Sequence, residues 1–168
     1  AEDTWPQVVR DAQSGVLQKY YRAAGFPDLT NAPISRWDLT KYDAYPIFNI
    51  QAGRGCPFDC EFCSVQLFNG RQFRHKSIDR VIEEVKFLKN LDPKKPYFFI
   101  DDNLLSIKEY AKDLLEKLIS LNIRFFCQAS VAGLDDDNML DLMYKAGCRE
   151  IFVGFESVSQ ASLDCMHK

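Results

Sequence analysis

Cys56-Pro57-Phe58-Asp59-Cys60-Glu61-Phe62-Cys63 decides how the rest of the chain is read. Three cysteines stand inside eight residues, separated by three and then two residues. A loop this short can turn all three sulfurs toward one point, and thiolates gathered on one point are metal ligands. A disulfide would use two and leave one over. A structural zinc site is usually closed by four ligands from two separated pairs. Iron–sulfur clusters, too, are commonly held by four cysteines. No fourth cysteine lies near this loop, so a cluster here keeps one iron open for an outside ligand. That suggests chemistry at the metal rather than a structural staple. Zinc, or cysteines that are near each other incidentally, is the plainer alternative.

Outward from the loop, strand and helix alternate. Ile47-Phe48-Asn49-Ile50 reads as a short apolar strand feeding it. Ser77 predicts the cap of a helix with Ile78, Val81, Ile82, Val85 and Leu88 on its buried face. Tyr97-Phe98-Phe99-Ile100 reads as a second strand ending in Asp101-Asp102-Asn103. Ser106 and Glu109 form a capping box for a helix faced by Tyr110, Ala111, Leu114, Leu115 and Leu118. Phe125-Phe126-Cys127-Gln128-Ala129 is a third strand. Asp135 to Asp137 place negative charge at the start of a helix that ends at Gly147. Ile151-Phe152-Val153-Gly154-Phe155 is a fourth strand, ending in Glu156, and a last helix starts near Ser159.

The strands are apolar on both faces, as buried parallel strands are. Right-handed crossovers then favour an α/β barrel or open sheet. Four units do not close a barrel, which needs roughly 200 residues or more, so the fourth strand is left as an open edge. In such folds the site lies at the carboxyl ends of the strands. Here the cysteine loop follows the first strand, Asp101-Asp102-Asn103 the second, Gln128 and Ser130 end the third, and Glu156 ends the fourth. Polar groups converging on one rim predict a cofactor pocket. Alternation puts Phe152, Gly154 and Glu156 on one face and turns Cys127 toward the helices. Gly154 allows a ligand close to the backbone. Plainer readings stand beside these: Asp101-Asp102-Asn103 as a turn before Ser106, and Glu156 as a helix cap. Arg71, Arg74, His75 and Lys76 are solvated surface, or else Arg71 and Arg74 steady the loop or meet a carboxylate or phosphate of a cofactor.

Residues 1–34 read differently. Pro6 can open a short helix and Gly15 close it. Tyr20-Tyr21-Arg22, Gly25-Phe26-Pro27 and Asn31-Ala32-Pro33 then make a turn-rich linker draped on a surface. The 168 residues suffice for one domain, and 46% apolar with 27% charged residues is ordinary for a globular protein. A net charge of −3 offers no basic field for nucleic acid. Six cysteines are too few for a disulfide scaffold, so Cys127, Cys148 and Cys165 are expected as buried, inert thiols in a reducing cytoplasm. No apolar run reaches membrane-spanning length. The chain does not begin with methionine, which suggests a piece of something longer.

The order and spacing of the cysteines, with Phe62 just before the third, resemble the signature of the radical S-adenosylmethionine (SAM) enzymes. The resemblance implies a partial (β/α)6 barrel, TIM-like, with its first four units present. It implies a [4Fe-4S] cluster on Cys56, Cys60 and Cys63 whose open iron binds the amino and carboxylate groups of SAM. An electron from that cluster would split the sulfonium and release a 5′-deoxyadenosyl radical. Asp101-Asp102-Asn103 stands where the family hydrogen-bonds the SAM amino group, in the acidic form of the cobalamin-dependent branch. The more common glycine-glycine-glutamate version is absent. The resemblance carries Gln128, Ser130 and Glu156 over as contacts to the ribose and methionine portions, places Phe62 near the adenine, and puts Lys168 where related enzymes often have a basic partner for the SAM carboxylate. Ala1-Glu2-Asp3-Thr4-Trp5-Pro6 with Gly15-Val16-Leu17 resembles the connector from an upstream cobalamin-binding domain. Residues 35–168 are then the N-terminal part of the core domain. The implied activity is cobalamin-dependent methylation of an unactivated carbon. Methylthiotransferase and oxidative cyclase are the alternatives within the family, and a non-catalytic zinc- or cluster-binding module is the alternative outside it. Implied partners are a small-molecule or lipid substrate and an electron donor such as flavodoxin or ferredoxin.

Overall fold

The computed structural model describes residues 2–168. Helix α1 (Trp5–Gln13) has proline in its first turn. It gives way at Gly15, where φ is +72. Two 3-10 turns, Trp37–Leu39 and Tyr42–Ala44, lead into strand β1 (Phe48–Ile50). The two-residue strands β2 (Gly53–Arg54) and β3 (Arg74–His75) pair antiparallel and bracket the cysteine loop, which contains the short helix α2 (Val65–Asn69). Then follow α3 (Ile78–Leu91), β4 (Tyr97–Phe99), α4 (Lys108–Ile119), β5 (Phe125–Ala129), α5 (Val131–Leu134), α6 (Asp137–Ala146), β6 (Cys148–Val153) and α7 (Gln160–Cys165).

The main sheet has the order β1-β4-β5-β6 and every pairing is parallel. Phe48, Ile50, Tyr97, Phe99, Phe125 and Cys127 face the helices and are fully buried. They meet Val81, Val85 and Leu88 of α3 and Ala111, Leu114, Leu115 and Leu118 of α4 in one core. Each of the buried valine, leucine, isoleucine and phenylalanine side chains stabilises by roughly 1.5–3 kcal/mol. The opposite face carries Asn49, Phe98, Phe126, Gln128 and Phe152, all partly or fully open to solvent. In a closed barrel that face would be the interior. Among the described residues β1 and β6 each have one strand neighbour, so the sheet is open at both sides.

Most of the expected elements are present; four features differ. The fourth strand runs Cys148–Val153 rather than Ile151–Phe155. It starts early because Gly147, at φ +104, ends α6 in one left-handed residue and feeds the strand directly. It stops at Val153 because its partner strand β5 ends opposite it, at Ala129, and the chain beyond turns away, with Glu156 at φ +61. The Ser106–Glu109 capping box does not form. Ser106 Oγ donates backward to Asn103 O at 2.7 Å, and α4 begins behind Ile107 instead. Cys165 is exposed rather than buried. Helix α5 was not foreshadowed by any sequence period.

Residues before 35 run over the surface but are tied to it. Leu29 is buried. Ser77 N donates to Thr30 O at 3.1 Å, and Arg80 Nε donates to Ala32 O at 3.1 Å. No helix among the described residues is long and apolar enough to cross a membrane.

Candidate functional site

The cysteine loop hangs from the end of β1, and the end of β4 clamps it. Asp101 is fully buried and accepts hydrogen bonds from Ala52 N (3.0 Å) and Gly53 N. Burial pushes its carboxyl up to about 7, against those amides, which favour the charge. Asp102 reaches further along the loop. Its Oδ2 accepts from Gly55 N at 3.1 Å and from Asn69 Nδ2 at 3.0 Å, joining the two ends of the loop. Cys56 N donates to Gly70 O at 3.3 Å in the same closure. Gly55 holds φ +92, and a Cβ there would strike Gln72 O, so the closure requires glycine. Inside the loop Cys63 N donates to Cys60 O at 3.0 Å, a tight turn between the second and third cysteines.

The three thiols, all free, line one cavity of about 290 Å³. Phe62 stands on the loop side of it with them. Asp102, Asn103, Gln128, Ser130 and Glu156 supply the facing wall from the strand ends, with Lys168 beside them. Asn103 is buried and ties two strand ends together: its Nδ2 donates to Ser130 Oγ at 3.1 Å, and its Oδ1 accepts from Ser130 N at 3.4 Å. Gln128 Nε2 donates to Asp101 O at 3.4 Å, which fixes the carboxamide with its oxygen free of that bond. Glu156 Oε1 lies 3.6 Å from Lys168 Nζ. Its carboxylate folds over Gly154 so closely that a Cβ at Gly154 would run into it. Lys168 Nζ is 6.0 Å from the Phe62 ring centroid.

Nine of the ten residues expected at the site therefore share the cavity: Cys56, Cys60, Cys63, Phe62, Asp102, Asn103, Gln128, Ser130 and Glu156. Asp101 does not. Both its oxygens accept from backbone amides behind the wall, so here it holds the loop. Glu156 arrives by a left-handed turn rather than by the strand alternation expected of it, and Ser159, not Glu156, caps α7. The basic cluster after the loop steadies it. Arg71 meets Asp59 at 3.4 Å, Arg74 donates to Asn69 O at 2.9 Å, and Lys76 forms a buried pair with Glu84 at 2.6 Å. His75 stacks on Tyr110 at 4.1 Å between ring centroids. Sequence reasoning missed the roles of Asn69 and Gly70 in closing the loop, and the contact of residues 166–168 with it. Glu61 N donates to Met166 O at 3.0 Å, and His167 Nδ1 lies 3.5 Å from Asp59 Oδ2. No local signal marks such a contact.

The sulfurs do not converge as expected. Among the described residues no three His, Cys, Asp or Glu side chains are close enough to hold a single metal ion. Three thiols that line one cavity from separate positions on the loop can each bind a different iron of a polynuclear cluster. The Cys56 thiol is pushed up by burial and then by the neighbouring Cys60, Cys63 and Asp102. Three thiols facing a carboxylate across a half-buried cavity are a donor set that a cationic metal core can take up. The residues therefore fit the cluster.

Comparison with known proteins adds to this geometry. The sequence model of the family described as "Radical SAM superfamily" matches residues 50–168. An uncharacterized methyltransferase of Synechocystis sp. is 35% identical over 173 residues, covering 99% of this chain and 32% of that protein. Hopanoid C-2 methylase of Rhodopseudomonas palustris is 31% identical over 147 residues, covering 84% of this chain and 28% of that protein. Among solved structures, the radical SAM methyltransferase TsrM of Kitasatospora setae, with cobalamin and a [4Fe-4S] cluster bound, superposes with a TM-score of 0.64. Its identity is 22%, over 70% of this chain and 24% of that one. The chain spans about a third of the length of the curated relatives it matches.

Proposed function

The chain belongs to the radical SAM superfamily, and on that premise we propose that it is the N-terminal part of an enzyme that reductively cleaves SAM at a [4Fe-4S] cluster and, with cobalamin, methylates an unactivated carbon. One observation carries the proposal: three thiols and a row of strand-end polar side chains line the same cavity. The methyltransferase names of the relatives support the reaction type, and the cobalamin and cluster of TsrM support the cofactors.

Cys56, Cys60 and Cys63 would hold the cluster, which when bound supplies the electron that cleaves the SAM sulfonium at its open iron. The other side chains bind and orient. Asp102 spends Oδ2 on the loop and keeps Oδ1 for an ammonium group. Asn103 and Ser130 are locked against each other and present a fixed polar edge. Gln128 offers its carboxamide oxygen and Glu156 its carboxylate to ribose hydroxyls. Lys168 can leave Glu156 for the SAM carboxylate, and Phe62 offers an apolar face to the adenine. Cobalamin is assigned to residues upstream of this chain, with residues 1–34 as the connector. A small-molecule or lipid substrate fits the relatives, and an electron donor such as flavodoxin or ferredoxin completes the cycle. Six free thiols suit a reducing cytoplasm.

The test is anaerobic reconstitution followed by electron paramagnetic resonance. The expected result is a [4Fe-4S] signal that SAM perturbs. Cys56→Ala, Cys60→Ala or Cys63→Ala should abolish it, while Glu156→Ala should keep the iron and lose most of the SAM effect. A spectrum unchanged at saturating SAM would overturn the assignment. In a longer chain that includes both flanks, mass spectrometry of the products separates methyl transfer from methylthiolation and oxidative cyclisation.

A further inference from the structure

Phe26 is 55% exposed, an aromatic on the outside of the connector. Its ring nevertheless lies so close to Gly70 that a Cβ at that glycine would collide with it. The Arg74 guanidinium sits 4.7 Å from the same ring's centroid. Its Nη1 donates to Pro27 O at 2.8 Å and its Nη2 to Asn69 O at 2.9 Å. The two residues so gripped, Asn69 and Gly70, are those that close the cysteine loop. Gly70 O accepts from Cys56 N, and Asn69 Nδ2 donates to Asp102. A path of direct contacts thus runs from the Gly25-Phe26-Pro27 elbow to the backbone of the first cysteine.

We infer that Phe26 and Arg74 are positioning residues for the cluster: the connector elbow locks the closing end of the cysteine loop and so fixes Cys56 relative to Cys60 and Cys63. The inference rests on the reading of those cysteines as cluster ligands. Its physical basis is the shape of the parts. A guanidinium is a rigid planar fork that can donate in its plane while stacking on an aromatic face, so one arginine couples connector and loop at a fixed angle. Arg74 Nε is buried with no hydrogen-bond partner among the described residues, which leaves the Nη bonds and the ring to hold the fork. A ring more than half exposed contributes little to the global fold, so its loss is felt locally. The connector is then part of the cluster site, and motion at residues 25–27 reaches Cys56 without passing through the sheet.

Hydrogen exchange followed by mass spectrometry on the iron-free chain tests this. In Phe26→Ala, amides of residues 55–70 should exchange roughly five- to tenfold faster, the scale of one lost cation–π and packing contact, with the urea midpoint of the whole chain unchanged. Phe26→Tyr should restore protection, and Arg74→Lys should reproduce the loss. Tyr20→Ala, at another exposed connector aromatic, should do nothing. After reconstitution, iron release to a ferrous chelator should accelerate in the same variants and in the same order. Exchange in Phe26→Ala within twofold of the parent would overturn the inference, and so would equal acceleration in Tyr20→Ala. If Phe26→Ala lowers the global midpoint, Phe26→Leu, which keeps the bulk over Gly70 and removes only the cation–π contact, replaces it with an expected acceleration of roughly two- to fivefold. A parent chain that takes up no iron would sink the proposed function, while the exchange measurements would still decide the positioning role.

Discussion

Replacing Lys76 by methionine perturbs three segments at once. Lys76 follows β3, and its Nζ lies 2.6 Å from Glu84 Oε2 on α3, with the two side chains 10% and 1% exposed. Glu84 Oε1 also accepts from Ser35 N at 3.4 Å, which brings in the segment just after the connector. Lys76's own backbone is fixed from both sides, its N donating to Ala52 O at 2.8 Å and its O accepting from Tyr110 Oη at 3.0 Å. Lys76→Met should therefore leave the frame intact and strand a carboxylate in the core. Breaking a buried pair from one side costs about 3–5 kcal/mol, whereas replacing both partners by apolar groups is often neutral. The single variants Lys76→Met and Glu84→Leu should each lose that amount, a large share of a domain's total of about 5–15 kcal/mol. The double variant should recover most of it. With a urea slope of roughly 2 kcal/mol per molar, each single variant shifts the midpoint down by about 1.5–2.5 M. The assay is urea unfolding by far-ultraviolet circular dichroism on all four proteins. Single losses below about 1 kcal/mol, or a double variant as unstable as the sum of the singles, would refute the reasoning.

Three further outcomes are expected. Asp101 has a folded-state carboxyl raised to about 7 by burial. The folded chain therefore keeps a proton that the unfolded chain releases near the ordinary value of about 4. Stability should fall as pH rises from about 4 to about 7 and level off above, by up to about 4 kcal/mol, with Asp101→Asn flattening the slope in urea titrations at several pH values. Gly147→Ala forces a side chain onto φ +104 and into Ile123 O. It should cost roughly 1–3 kcal/mol in thermal unfolding, more than an Ala at exposed Gly25 would. Phe155 is 68% exposed beside the open edge of β6; Phe155→Lys should reduce self-association in light scattering without lowering the melting temperature.

Parts of this molecule whose order comes from periodic burial were legible in the sequence. Tyr110, Ala111, Leu114, Leu115 and Leu118 had to share a helix face, and they do. Phe125–Ala129 alternates apolar residues to the helix side and has the bounds its composition predicts. The cysteine spacing and the polar residues at strand ends located the cavity. Long-range hydrogen bonding was not legible. Asp101 and Asp102 are neighbours with the same chemistry, yet one is a buried staple and the other faces the cavity; only the positions of Ala52, Gly53, Gly55 and Asn69 distinguish them. Strands β2 and β3 are too short to carry a pattern. Cys127 was read correctly as a core thiol. The neighbouring Cys148 and burial push its thiol above the ordinary range. Cys165 sits on a short helix whose exposed side no period revealed.

The contact between Glu61 and Met166 joins positions 105 residues apart. A chain made from its N-terminus exposes the three cysteines on the ribosome long before the residues that close over them exist. At about 5–20 residues per second, that interval lasts on the order of 5–20 seconds. In that time the thiols are accessible to whatever metal or oxidant the cell offers, and nothing yet selects among them. Loops closed by such distant partners form late. If the loop holds a cluster as proposed, iron delivery has two windows, one early and open, one late and sheltered by Lys168 and Glu156.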